Sequence, residues 1–400
     1  MTSLFSWLDT SEADRRRAMD VIDLLRQKET VDELGIGSVR DTIADFLSPG
    51  TSTVQRRARY FFFIPWIYQR IERSPASANN VTGRARQTEI ALIDVLAASA
   101  DPSGTIGIEA RGSLKRLPSM IYWSGLGRLG FRVFPGSQDQ YHRILGRRTR
   151  STSPTLDNVG DLALDATATA NWHPRLPEPP AQFPTEAGFA LRTSEATFFR
   201  DQLRIHANDS LLLFLVETGK PVEGLDFPWQ HPLIAEMPER LRRWLHHGQM
   251  FSELMVGAAY LYNLMLAEQL PNPEWVEAYQ KALNDWAAST ADREAMHAAW
   301  NREEFWRELV RLNPRLPPGV RQFAEQWIQR ALGGQAQFPN DPIARGLITD
   351  RERRLKGRRA RLSNREQLLM WGGASGAFQL DYRWGITTTV VNDIVHGLTA

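Results

Sequence analysis

Between Pro238 and Leu270 the residues Trp244, Phe251, Met255, Ala258, Tyr262 and Met265 recur every three to four positions. That spacing gathers them on one side of a long helix. A helix with one apolar stripe needs other elements to cover it. Gly257, Ala258 and Ala259 in its middle would let a second helix approach closely. Helical periodicity continues at 274–288, 291–312 and 318–332. The chain therefore reads as mainly α, with a multi-helix, bundle-like domain over 191–400.

The earlier part divides into three stretches. Residues 1–83 read as a helical segment. Ser11 and Asp14 cap a helix that ends near Lys28, and Ser38 and Asp41 cap a second that Pro49-Gly50 stops. A third should start at the Thr51–Thr53 cap and run toward Arg73, with a kink at Pro65. It carries the most apolar run, YFFFIPWIY at 60–68, which is expected to be buried. Nine residues are too few to span a bilayer, which takes roughly 20. Residues 84–150 read as a small α+β module: a helix in RQTEIALIDVLAAS, a short strand in TIGIEA, a helix around PSMIYWSGLGRLG and a strand in FRVF. That order is compatible with a winged-helix-like module, in which a helix can enter the major groove. The alternative is a plain scaffold with Ile121, Tyr122, Trp123 and Leu126 in its core. Six prolines between 151 and 190 mark a linker or long crossover.

Chemistry is harder to find. The chain has no cysteine, which excludes a cysteine nucleophile, a thiolate zinc site and a cysteine-held iron–sulfur cluster. The eight histidines show no metal-ligand spacing. GLGRLG at 125–130 fits a dinucleotide fingerprint in letters only, because helical residues precede it where a strand is required. No catalytic residue, metal or cofactor is predicted. Asp41, Asp45, Glu109 and Asp381 would have to assemble in space to make a metal-dependent nuclease, which stands as an alternative. The opening residues lack a secretory pattern, so a cytoplasmic protein without a membrane partner is expected.

Basic patterning is the strongest signal. Forty-three of the 48 basic residues are arginine, the better phosphate-binding group. RERRLKGRRARLSNR at 351–365 holds eight Lys or Arg against one acid, Glu352. On a continuous helix Arg351, Arg354, Arg358, Arg361 and Arg365 would form one stripe. Such a helix needs counter-charges from local carboxylates, a protein partner or phosphates. Arg56, Arg57 and Arg59 form a second cluster, and Arg143, Arg147, Arg148 and Arg150 a third. Together they make DNA a candidate partner.

Several blocks carry a resemblance: FSWLD, VDELGIGSVRDTIADFLSPGTSTVQRRARYFFFIPWIY, GAAYLYNLMLAE and LDYRWGITTTVVNDIVHGL. With these the chain resembles an uncharacterised bacterial family catalogued as a domain of unknown function. Members look like components of anti-phage defence islands, encoded near helicases that carry a phospholipase-D-like domain. The resemblance implies a non-catalytic accessory subunit that binds a helicase/nuclease partner and DNA. It supplies no catalytic residues. A pure protein scaffold is the remaining alternative.

Overall fold

In the computed structural model the described residues are 32–74, 80–148, 170–333 and 337–400, with the backbone alone at 147–148. The helix expected over 11–28, the FSWLD block and the first part of the proline-rich stretch lie outside them. The helices run α1 (Gly37–Leu47), α2 (Tyr60–Arg73), α3 (Val81–Ala97), α4 (Pro118–Arg128), α5 (Gln138–Arg148), α6 (Thr193–His206) and α7 (Leu211–Glu217). They continue as α8 (Glu239–Ala267), α9 (Pro273–Asp292), α10 (Glu294–Ala298), α11 (Arg302–Leu312) and α12 (Pro318–Ala331). Last come α13 (Pro342–Lys356), α14 (Arg365–Leu369) and α15 (Trp384–Thr399). The protein is mainly helical, and no strand forms among the described residues. The chain separates into two compact units, one holding residues up to Ile43 and Arg243–Tyr382, the other Ala44–Arg242 and Arg383–Ala400.

The unit holding Ala44–Arg242 is organised on α2. Every residue from Tyr60 to Tyr68 is buried, and the helix continues through Pro65. Phe61 meets Phe199 with ring centroids 5.0 Å apart, and Phe63 stacks on Phe183 at 5.7 Å. The helix starts later than the Thr51–Thr53 cap predicts. Tyr122 Oη accepts the N–H groups of Arg56 and Arg57, and Asp393 accepts that of Ala58. These amides, ahead of the helix, are held by distant side chains.

The winged-helix-like α+β module is not there. Neither strand forms, because each finds other hydrogen-bond partners. In TIGIEA, the Ile106 N–H donates to Tyr60 Oη at 2.9 Å, Thr105 closes a turn on Pro102, and Gly107 has φ +82°. FRVF makes a single antiparallel bridge, Arg132 with Trp172. An extended run without a neighbouring strand cannot satisfy its backbone as a sheet. Of the four residues of the scaffold reading, Tyr122, Trp123 and Leu126 are buried and Ile121 is half-buried.

The unit holding Arg243–Tyr382 is built around α8. By length and composition α8 could cross a membrane, but 89% of its most apolar stretch is buried inside the protein. Its small residues allow the close approach that they suggested. A Cβ on Gly257 would lie 2.3 Å from the Trp286 ring of α9. Trp286 in turn donates to the Glu253 carbonyl and stacks on Trp327 at 5.8 Å. The single helix expected over 291–312 is broken. Trp300 turns inward to donate to His247 Nδ1, and Asn301 starts a new helix by accepting the Glu304 N–H.

Two outcomes follow from this packing. Gly257→Ala should lower the unfolding free energy by about 1–3 kcal/mol, the usual cost of overpacking, measured by urea denaturation followed by circular dichroism. Glu89 on α3 is buried and accepts the Ser119 N–H and Oγ at 2.8 and 2.7 Å. Burial pushes its carboxyl up to about 7, against the opposing pull of the Ser119 bonds and Arg86. An acid with a raised folded pKa contributes stability that is present below its unfolded value and is lost as pH rises through the folded one. Stability should therefore fall by about 3 kcal/mol between pH 4.5 and about 7 from this group. Denaturation of Glu89→Gln across that range should show a flatter profile than the wild type.

Candidate functional site

The basic segment starts on a well-capped helix. Asp341 accepts the Ile343 and Ala344 N–H groups, and Pro342 occupies the first helical position, where a missing N–H costs nothing. The helix does not continue to 365. It ends at Lys356, Gly357 has φ +54°, residues 357–359 form one 3-10 turn, and α14 starts afresh at Arg365 under an Asn364 cap. The expected five-arginine stripe is thus divided among α13, the 3-10 turn, the turn that follows it and α14.

Glu352 explains the division. It is fully buried, and its carboxylate accepts the Tyr262 hydroxyl at 2.7 Å, the Arg361 N–H at 2.7 Å and the Leu362 N–H at 3.1 Å. Residues nine and ten positions later can reach it only if the chain folds back, and a glycine with positive φ permits that reversal. The only acid in the run acts as its internal anchor.

The basic side chains then separate into two groups. Arg351 is buried. It donates to the carbonyls of Leu34, Gly35 and Gly319 at 2.8–3.1 Å and lies 5.2 Å over the Phe323 ring. Arg361 bonds Ser375 Oγ and pairs with Glu33 at 3.2 Å, and Lys356 pairs with the other Glu33 oxygen at 3.1 Å. Arg365 donates to the Gln269 carbonyl, and Arg353 pairs with Asp350. Arg354, Arg358 and Arg359 are exposed, and their guanidiniums have no ion-pair or hydrogen-bond partner among the described residues. Arg359 belongs to this group although the stripe did not include it.

The second cluster is mostly internal. Arg59 is buried and grips Glu195 with two bonds of 3.0 Å, while its third nitrogen donates to the Gly188 carbonyl. Arg57 bridges Asp393 and Asp101. Only Arg56 is exposed. Arg147 and Arg148 end α5, with side chains outside the described residues, and Arg150 lies outside them altogether.

No group of three His, Asp or Glu residues placed to hold a metal forms among the described residues. Asp41 pairs with Arg40, and Asp45 with Arg383. His247 is a core residue whose pKa burial pulls down to about 4, aided by His246 and Arg243. The glycines of GLGRLG belong to the end of α4 and the turn after it, where Gly130 has φ +74°.

Comparison with known protein families matches residues 2–397 to a family of unknown function, DUF6361. No curated protein and no solved structure matches the chain.

The two groups of arginines should respond differently to truncation. Arg351→Ala leaves three carbonyls without their donor, and unmade buried bonds cost about 1–3 kcal/mol each. Its unfolding free energy should fall by at least about 2 kcal/mol. Arg354→Ala should stay within about 0.5 kcal/mol of wild type. Parallel urea titrations of the two variants check both values.

Proposed function

The chain belongs to the family of unknown function DUF6361, and we propose that it is a non-catalytic accessory subunit of a bacterial anti-phage defence system. In this reading it binds a helicase/nuclease partner and contacts DNA through Arg354, Arg358 and Arg359. One observation carries the DNA contact. In a segment where Arg351, Lys356, Arg361 and Arg365 are engaged by the protein itself, Arg354, Arg358 and Arg359 are exposed and have no counter-charge among the described residues. Exposed arginines without such partners suit phosphate oxygens, which they can hold with two parallel hydrogen bonds. Such contacts position a nucleic acid without reading its sequence. The defence role and the helicase partner rest on the resemblance to a bacterial family whose members look like components of anti-phage islands.

The test follows from counterion release. Three phosphate contacts contribute about 2.7 to the slope of log affinity against log salt for duplex DNA. Fluorescence anisotropy with a labelled duplex, at several salt concentrations and with and without the helicase, measures it. The Arg354→Glu, Arg358→Glu, Arg359→Glu triple variant should lose binding and keep its fold. Unchanged affinity and slope in the triple variant would overturn the DNA contact. Co-purification with the helicase should survive nuclease treatment, since the protein contact does not depend on DNA.

A further inference from the structure

A cavity of about 450 Å³ opens in the unit holding Ala44–Arg242. It draws its walls from three separate sequence blocks: Asp45 and the turn at 49–55, Ser124 to Arg128 at the end of α4, and Arg383 immediately before α15. The blocks are held together by backbone contact. A Cβ on Gly125 would lie 2.3 Å from the Gly50 carbonyl, and Gly50 itself has φ +81°. Arg383 has φ +66°, a conformation that a non-glycine residue adopts only under constraint. Strain of this kind gathers at sites where a side chain must be held in place. Here it places the Arg383 guanidinium on Asp45 at 2.6 Å and on the Thr51 carbonyl at 2.8 Å.

The lining has unmet hydrogen-bonding capacity. Gln55 is 1% exposed. Its Nε2 donates to the Gly50 carbonyl at 3.1 Å, which fixes the amide orientation, and its Oε1 has no partner. Ser52 Oγ is likewise buried without a partner. Buried polar groups are nearly always satisfied, so each such exception calls for a ligand or an ordered water. Arg128 is exposed at the rim with no ion-pair partner among the described residues. Arg383 is engaged by Asp45, so Arg128 is the lining cation without an acid partner among the described residues. Among the described lining residues Pro49 and Ile121 are the large apolar ones, and none is aromatic and able to stack on a base.

We infer that this cavity binds a sugar phosphate, with its phosphate on Arg128 and Arg383 and its hydroxyls on Gln55 Oε1, Ser52 Oγ and Ser124. The Arg128 guanidinium, with no acid partner among the described residues, selects an anion. The unpaired carbonyl selects an O–H donor. The volume lies within the range of small-ligand sites and is too small for a duplex. The unit could come from a free sugar phosphate or from the 5′-phosphorylated end of a nucleic-acid strand. The residues are distinct from those of the basic face, so the two proposals fail separately.

Isothermal titration of the full chain at low salt tests it, with ribose 5-phosphate, ribose, inorganic phosphate and short oligonucleotides with and without a 5′-phosphate as probes. Ribose 5-phosphate, the 5′-phosphorylated strand or both should bind at least about tenfold more tightly than ribose and inorganic phosphate. Ribose 5-phosphate binding identifies the free source, and binding of the phosphorylated strand alone identifies the strand end. Ser124→Trp, which fills the cavity from an exposed position, and Arg128→Glu should each weaken that binding about tenfold or more. Both should leave the circular dichroism spectrum unchanged. The Arg354/Arg358/Arg359 triple variant should retain it. Inorganic phosphate binding as tightly as ribose 5-phosphate, equal affinity in the Ser124→Trp variant, or no binding of any probe overturns the proposal.

Discussion

A charge taken out of water must find both a counter-charge and partners for its hydrogen-bonding atoms. This chain meets that demand repeatedly with arginine. Arg59 and Glu195 form a two-bond pair between the start of α2 and α6. Arg57 holds Asp393 of α15. Arg351 has no carboxylate bonded to it among the described residues and donates to three carbonyls. Each such contact joins elements far apart in sequence. Removing one partner would leave the other buried and unpaired, at a cost of about 3–5 kcal/mol for a buried ion pair. The architecture of both units is therefore constrained by where guanidiniums can be satisfied as well as by where apolar side chains can be covered.

The same constraint separates what could be read along the chain from what could not. The helical period around Trp244 to Met265 is a local property, and α8 follows it. The aromatic run at 60–68 had to be covered, and it is. The small residues at 257–259 announced a close neighbour, which is Trp286. Strand propensity in TIGIEA and FRVF is equally local, but a strand needs a second strand, and sequence alone does not show that none is adjacent. The basic run shows the opposite difficulty. Its arginines share one helical stripe in projection, yet the helix ends at Lys356 because Glu352 is buried. The lone acid and the glycine five residues later were visible. Their meaning depended on Tyr262, ninety positions away in sequence.

An arginine-rich composition consequently says little by itself about surface charge. Of the twelve arginines that the sequence singled out, Arg57, Arg59, Arg351, Arg361 and Arg365 serve the protein's own carbonyls and carboxylates. Arg354 and Arg358, like Arg56, have no side-chain partner among the described residues, and the same property adds Arg359. The family match places the whole chain in one group without assigning it chemistry. The physical sorting of side chains into engaged and unengaged is what narrows the search for a binding face.

The turn at Arg358–Arg359 has a further consequence for how the chain meets proteases. Two adjacent arginines on an exposed turn are an attractive cleavage sequence for trypsin-like enzymes. A protease must draw several residues into an extended conformation before it can cut. Here the flanking residues are tied down by the Glu352 carboxylate through Arg361 and Leu362, and by Asn364 on the Arg358 carbonyl. Nicking at this point is consequently governed by the opening of one buried latch, and its rate becomes a clock for that local event.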